Sequence, residues 1–210
     1  MVELTPDILL QAYAMGVFPM AHSQDAPEIY WVDPHLRGVI PLDKFHVSRS
    51  LRKTLLKADY QVHLNKDFAA CVAGCADRDE TWINEEIAGA YQALHDAGHA
   101  HSVEIWHENQ MVGGVYGVSI GAAFFGESMF SRRRDGSKIA LAWLIARLQF
   151  GGYRLFDTQF VTDHLRSLRG QQIPRKHYQD QLSKALEYVA NIRALPADAT
   201  ADQLFRRSSS

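Results

Sequence analysis

Cysteine is scarce in this chain of 210 residues: Cys71 and Cys75 are the only two. A disulfide framework is therefore excluded, and the fold must rest on a hydrophobic core. No second Cys or His pair stands in register with "CVAGC", so a zinc site is not assigned and two small buried thiols are expected. Long hydrophobic runs are missing as well. The apolar stretches are too short and too polar to span a bilayer, so no transmembrane helix and no membrane partner are expected. The start, "MVELTPDILL", carries Glu3 where an export signal would carry basic residues, which points to the cytoplasm. Neither sign of charge dominates, since 22 Lys and Arg stand against 24 Asp and Glu. That balance excludes a generic polyanion binder.

The charge is unevenly distributed. "KFHVSRSLRKTLLK" (44–57) has five basic residues and no acid, "SRRRDGSK" (131–138) has four against one, and "HLRSLRGQQIPRK" (164–176) has four against none. Each run alone reads as a solvated helix face. Three such clusters in a slightly acidic protein suggest a localised anion site.

"LTPDILLQAYAMG" opens with Thr5 as N-cap and Pro6 at the first helical position, and it stops at Gly16. Residues 17–47 alternate Pro, Gly and aromatics, which suggests short strands and turns without a core of their own. "SRSLRKTLLK" reads as a short basic helix. Residues 1–59 are accordingly taken as a small N-terminal domain, 60–195 as the main domain and 196–210 as a loose tail. From Tyr60 the order is strand, two helices, three strands, helix, strand, helix. Asn65, Asn84 and Ser137 are the expected caps of the first three helices. Hairpin-joined strands flanked by helices give an α/β (α+β) domain with a mixed β-sheet. The order resembles the GNAT acyltransferase fold, in which substrate sits where the fourth and fifth strands splay apart. Here those strands are "AAFFGESMF" and "YRLFDTQF".

Strand alternation places Ala123, Phe125, Glu127 and Met129 on one face, and Asp157 and Gln159 on one face of the next strand. Buried carboxylates without partners are costly, so they are paired, hydrogen-bonded or functional. Two acids and an amide on strands that flank a cleft favour function, with Phe125, Met129 and Leu148 as candidate walls of an apolar pocket. The glycines of "VGGVYGVSIG" lie inside a strand and precede no helix, so they mark bulges or close backbone approach rather than a nucleotide loop. "RRDGSK" (133–138) does precede a helix, but Lys138 fills the small position that a coenzyme A loop requires. His95, His99 and His101 fall in a helix, a turn and a strand, so they need not converge on a metal.

The stretches "GVFPM", "WVDPHLRGVIPL", "HVSRSLRKTL", "TWI", "AGHAHSVEIW", "VGGVYGV", "GESMFSR", "GSKIAL", "FDTQF", "HLRSL" and "IPR" follow one another from about residue 4 to 178. In that order they resemble the leucyl/phenylalanyl-tRNA–protein transferase family. The resemblance implies a small N-terminal domain with a GNAT-like C-terminal domain. It implies transfer of Leu or Phe, Met less well, from aminoacyl-tRNA to proteins beginning with Arg or Lys, which marks them for degradation by the N-end pathway. By motif it carries Glu127, Asp157 and Gln159 over as catalytic and Trp31 and Trp82 as substrate-binding. The basic runs, with Arg49, Arg52, Lys53, Arg132, Arg133, Arg134 and Lys138, would hold the tRNA acceptor end. An aminoacyl ester is already activated, so no cofactor and no metal are implied. Two positions depart from the family pattern: Thr158, expected to point away from the cleft, and Arg169, where the family usually has Gly. A coenzyme A-dependent N-acyltransferase and a non-catalytic RNA-binding module remain as alternatives. Acetyl-CoA binding would favour the first, and an inert Asp157→Ala variant the second.

Overall fold

The computed structural model describes residues 4–26 and 28–202. Its elements run α1 (Pro6–Ala14), β1 (Phe18–Ala21), β2 (Ile29–Val32), β3 (Leu36–Val39), α2 (Arg49–Lys57) and β4 (Gln61–Leu64). There follow α3 (Phe68–Ala76), α4 (Glu85–Asp96), β5 (Ala100–His107), β6 (Gln110–Ile120), β7 (Ala123–Ser131) and α5 (Gly136–Phe150). The chain continues with β8 (Leu155–Gln159), α6 (Asp163–Ser167), β9 (Gln171–Pro174) and α7 (Arg175–Leu186). Among the described residues no helix is long and apolar enough to cross a membrane.

Local chemistry sets most boundaries. Thr5, Ser48, Asn84 and Thr162 each accept a backbone N–H of the first turn they cap. Two expected caps are replaced. Asp67 rather than Asn65 caps α3; the Asn65 side chain instead accepts the Ser102 amide at 2.9 Å from a backbone at φ 58°. Asp135 precedes α5 at φ 63° without a side-chain cap, so Ser137 lies one residue inside the helix. Ser137 N–H donates to Ser131 Oγ at 3.2 Å, which shows why that end tolerates an uncapped start.

The strands form a mixed sheet in the order β4-β5-β6-β7-β8-β3-β9, and β1-β2 make a separate hairpin. Every neighbouring pair in the sheet is antiparallel except β7 and β8. Two apolar layers sandwich it. On one face α1, α3, α4 and α7 pack with Tyr116, Val118 and Phe125; on the other, α5, α2 and α6 pack with Val103, Val115, Phe124 and Phe156. Helix α5 is apolar almost all round and buried along most of its length, as a central helix must be. Gly113 lets its start approach β6, since a Cβ there would strike the backbone of Gly136.

Residues 36–57, which composition groups with the N-terminal segment, lie within this architecture. Strand β3 sits between β8 and β9, and Leu51 and Leu55 of α2 are buried against α5. In the C-terminal stretch, Leu195, Ala199 and Ala201 pack on the second layer, while residues 203–210, including "FRRSSS", lie outside the described residues.

Candidate active site

The parallel β7–β8 ladder ends after three pairs, Ala123↔Leu155, Phe124↔Phe156 and Phe125↔Asp157. Beyond it, β7 runs on along β6 while β8 pairs with β3, so the two strands part at the expected place. A bulge opens the gap. Gly117 faces Gly126 and Tyr116 faces Ser128, so Glu127 is the extra residue, without a cross-strand partner. Gly117 permits this because a Cβ would run into the Phe125 carbonyl and the Phe124 ring.

The bulge resets the side-chain alternation. Phe125 packs on the α1/α4 side, and Glu127 turns to the same side, as strand alternation places them, where the Tyr91 hydroxyl donates to its Oε2 at 2.7 Å. Met129 ends on the opposite, α5 side, against the expectation that it shares a face with Phe125. Arg78 braces the bulge, its Nη2 donating to Ser128 Oγ at 2.9 Å and its Nε to the Cys75 carbonyl at 2.8 Å.

Asp157 is fully buried and saturated with donors. Arg37 forks onto both of its oxygens, the Tyr178 hydroxyl donates to Oδ2 at 2.7 Å, and the Gln159 amide donates to Oδ1 at 2.7 Å. Its oxygens are thus engaged by protein donors, and it is not among the residues that line the adjoining cavity. The Gln159 side chain then reaches back across the gap, and its Nε2 donates to Glu127 Oε1 at 2.9 Å. One chain of contacts therefore joins Arg37, Asp157, Gln159, Glu127, Tyr91 and Tyr13, the last two hydroxyls 2.6 Å apart. Burial raises the Glu127 carboxyl from its ordinary 4.5 to about 7, opposed by the bonds from Tyr91 and Tyr13 and reinforced by Asp157.

Glu127 and Gln159 lie at the edge of a cavity of about 290 Å³. Met129, Val115, Leu141, Phe156 and Leu165 give it an apolar wall, and Trp82, Met20 and Phe160 stand nearer the surface. Phe125 and Leu148 are not part of the wall; both are fully buried in the two core layers. Thr158 does line the cavity, against expectation, because it shares the α5-side face of β8 with Phe156 and the cavity opens on that side. Trp82 packs edge-on to Tyr91, whereas Trp31 is 41% exposed on the β1-β2 hairpin, outside the cavity wall. Arg169 takes φ 74°, a left-handed conformation that glycine adopts more readily than other residues.

The basic residues divide. Lys53, Arg133 and Arg134, with Lys57, line a second cavity of about 370 Å³ between α2 and the start of α5, together with Asp135 and with Asp59, which Arg133 meets at 2.9 Å. Arg49 and Arg52 are exposed on α2 outside its lining, and Lys138 pairs with Asp135 at 3.3 Å. Arg132 turns the other way, toward Asp77 at 3.4 Å. Among the histidines, His95 meets the Ala100 carbonyl at 2.8 Å and stacks on Phe68, His99 Nδ1 lies 3.4 Å from the Ser119 carbonyl, and His101 faces Asn65, so each ring is engaged with a different partner. Among the described residues no three His, Cys, Asp or Glu side chains form a group able to hold a metal ion.

Sequence reasoning did not single out Arg37, Tyr13, Tyr91, Tyr178 or Arg78. The signal for Arg37 was its place in the apolar strand "LRGVI", where a buried cation demands a buried acid.

Residues 39–183 match the family model for leucyl/phenylalanyl-tRNA protein transferase, and residues 2–35 match the model for its N-terminal domain. A relative named leucyl/phenylalanyl-tRNA–protein transferase from Ruegeria sp. (strain TM1040) is 61% identical over 186 residues, covering 89% of each chain. One of the same name from Maricaulis maris is 59% identical over 199 residues, covering 93% of this chain and 92% of its own. The structure of L-PGS from Bacillus licheniformis is similar over 77% of this chain and 55% of its own, at 14% identity and a TM-score of 0.41. That likeness is too distant to carry fold or function across.

Proposed function

The chain belongs to the leucyl/phenylalanyl-tRNA–protein transferase family, and from that premise we propose that it transfers leucine or phenylalanine, methionine less well, from aminoacyl-tRNA to proteins beginning with Arg or Lys. The observation that carries this reading is the Gln159–Glu127 contact at the polar edge of an apolar cavity. The donor side chain enters between Met129, Leu141 and Leu165. Such a wall separates apolar side chains by about 1–3 kcal/mol per methylene, which suits a relaxed preference for large ones. The acceptor amine attacks the ester carbonyl. A C–N bond forms, the C–O bond to the terminal ribose breaks, and the released hydroxyl keeps the proton that the amine gives up.

Little base strength is required. An α-amino group with a pKa of about 7.7–8.0 is roughly one-fifth to one-third unprotonated near pH 7.4. Gln159 orients that amine, and Asp157 fixes Gln159 through its amide. Glu127 titrates near neutrality, so a cationic acceptor residue beside it draws it into the ionised form and is held there. Lys53, Arg133 and Arg134 hold acceptor-end phosphates, with Arg49 and Arg52 on the adjoining helix face, giving largely sequence-blind binding. No cofactor is needed for aminolysis of an activated ester. The reaction takes place in the cytoplasm and marks its protein products for the N-end degradation pathway.

The test is mass spectrometry of peptides incubated with the chain and leucyl-tRNA. A peptide beginning with Arg gains one leucyl residue at its N-terminus, and the same peptide beginning with Ala does not. Unmodified Arg peptide with folded protein would contradict the proposal.

A further inference from the structure

The mechanism above leaves Arg37 without a role, although its side chain is only 1% exposed. A buried arginine is costly to desolvate, so its partners define its purpose. Its Nε lies 3.0 Å from both Asp157 oxygens, Nη2 lies 2.6 Å from Oδ2, and Nη1 donates to the Gly16 carbonyl at 2.7 Å. The rings of Phe18 and Tyr178 sit on the guanidinium, each 4.6 Å from its carbon. The N-terminal segment, β3, β8 and α7 all meet at this one side chain.

What Arg37 orients is the carboxylate that controls Gln159. That residue, at φ 53°, is the centre of a three-residue turn in which the Phe160 amide donates to the Thr158 carbonyl at 2.5 Å. Such turns are rare and strained, and they persist where the surroundings over-determine them. The constraint is the bond from the Gln159 amide to Asp157 Oδ1. The side chain of the same residue contacts Glu127.

We infer that Arg37 is a positioning residue of the transfer reaction: it clamps Asp157 between the N-terminal segment and α7, and thereby sets where the Gln159 carboxamide meets the acceptor amine. The inference rests on the aminoacyl-transfer reading and extends it, because docking of Gly16 and Phe18 becomes part of the catalytic geometry. Lysine cannot substitute. One ammonium group cannot fork onto the carboxylate, reach the Gly16 carbonyl and fill the slot between two rings.

The experiment compares full-length wild type, Arg37→Lys and Tyr178→Phe at a temperature where all are folded by near-UV circular dichroism. Single-turnover transfer from leucyl-tRNA to an Arg-peptide is measured beside the equilibrium Kd for leucyl-tRNA. Arg37→Lys loses about 10²-fold in the chemical step while the donor Kd stays unchanged, as expected for a misplacement of about 1 Å. Tyr178→Phe keeps the ring over Arg37, removes one donor to Asp157 and loses about tenfold. A purely structural arginine would lower the melting temperature and leave both single-turnover rates at the wild-type value, which overturns the inference. Should Arg37→Lys fail to fold, the Tyr178→Phe rate decides in the same sense. Wild type that transfers no leucine defeats the underlying reading; active wild type with equally active variants defeats this inference alone.

Discussion

Replacing Glu127 by Gln should make the protein more stable at neutral pH and less active. The native carboxyl titrates at about 7 instead of its ordinary 4.5, chiefly because it is buried. Between those values the native state holds a proton that the unfolded chain has released, so wild-type stability falls as pH rises through this window. At about 1.4 kcal/mol per unit, the ionised form is penalised by about 3 kcal/mol as an upper bound. Glu127 is half-buried and borders the cavity, so solvent screening reduces this to about 2–3 kcal/mol. The carboxamide introduced by Glu127→Gln would carry no charge and could keep both partners: its oxygen accepts from Tyr91, and a flipped Gln159 amide accepts from its nitrogen.

Thermal unfolding of both proteins from pH 4 to 8.5 gives the readout, the difference cancelling every other titration they share. At about 2–4 °C per kcal/mol for a chain of this size, the Glu127→Gln variant melts about 4–12 °C above wild type at pH 8. The two curves converge below about pH 4.5, where the wild-type carboxyl is protonated in both states. Parallel curves across the whole range would refute the claim that the surroundings of Glu127 penalise its ionised form.

Three further outcomes follow from other parts of the structure. Lys53→Ala and Arg133→Ala should each weaken leucyl-tRNA binding similarly for every tRNA sequence and reduce the slope of log K against log salt by about 1, measured by filter binding. Met129→Ala, which enlarges the apolar wall, should shift donor preference from Leu toward Phe by about 1–3 kcal/mol in kcat/KM, read from competition between the two charged tRNAs. Gly117→Ala puts a Cβ into the Phe125 carbonyl at the bulge and should cost about 1–3 kcal/mol in urea unfolding.

The elements were largely legible because their signals are local. Thr5 and Pro6 open α1, Asn84 caps α4, Gly151 ends α5, and each does so through its own turn of backbone. Glu127, Asp157 and Gln159, which the structure brings together, stood out for a related reason: a polar side chain in an apolar strand is conspicuous wherever its partner lies. The partners themselves were not legible. Arg37 meets Asp157 across 120 residues and Tyr91 meets Glu127 across 36, and one chain read alone carries no pairing information at that range. The reversed face of Met129 has the same origin. Its bulge is defined by the register of β7 against β6, which alternation within β7 cannot reveal. Asn65 misled because an Asn in a left-handed turn and an Asn at a helix cap look alike in sequence.

The central claim is that Glu127 and Gln159 form the site at which an amine takes an aminoacyl group from tRNA. Its most direct test is the single-turnover rate of radiolabelled leucine transfer from leucyl-tRNA to an Arg-peptide, as a function of pH, for wild type, Glu127→Gln and Gln159→Leu. Wild type should gain rate as pH rises through about 7, the range in which Glu127 ionises. Glu127→Gln should lose most of the rate and this Glu127-linked rise, and Gln159→Leu should lose about 10²-fold with donor binding intact. Two folded variants that transfer leucine at the wild-type rate, with the wild-type pH profile, would contradict the account.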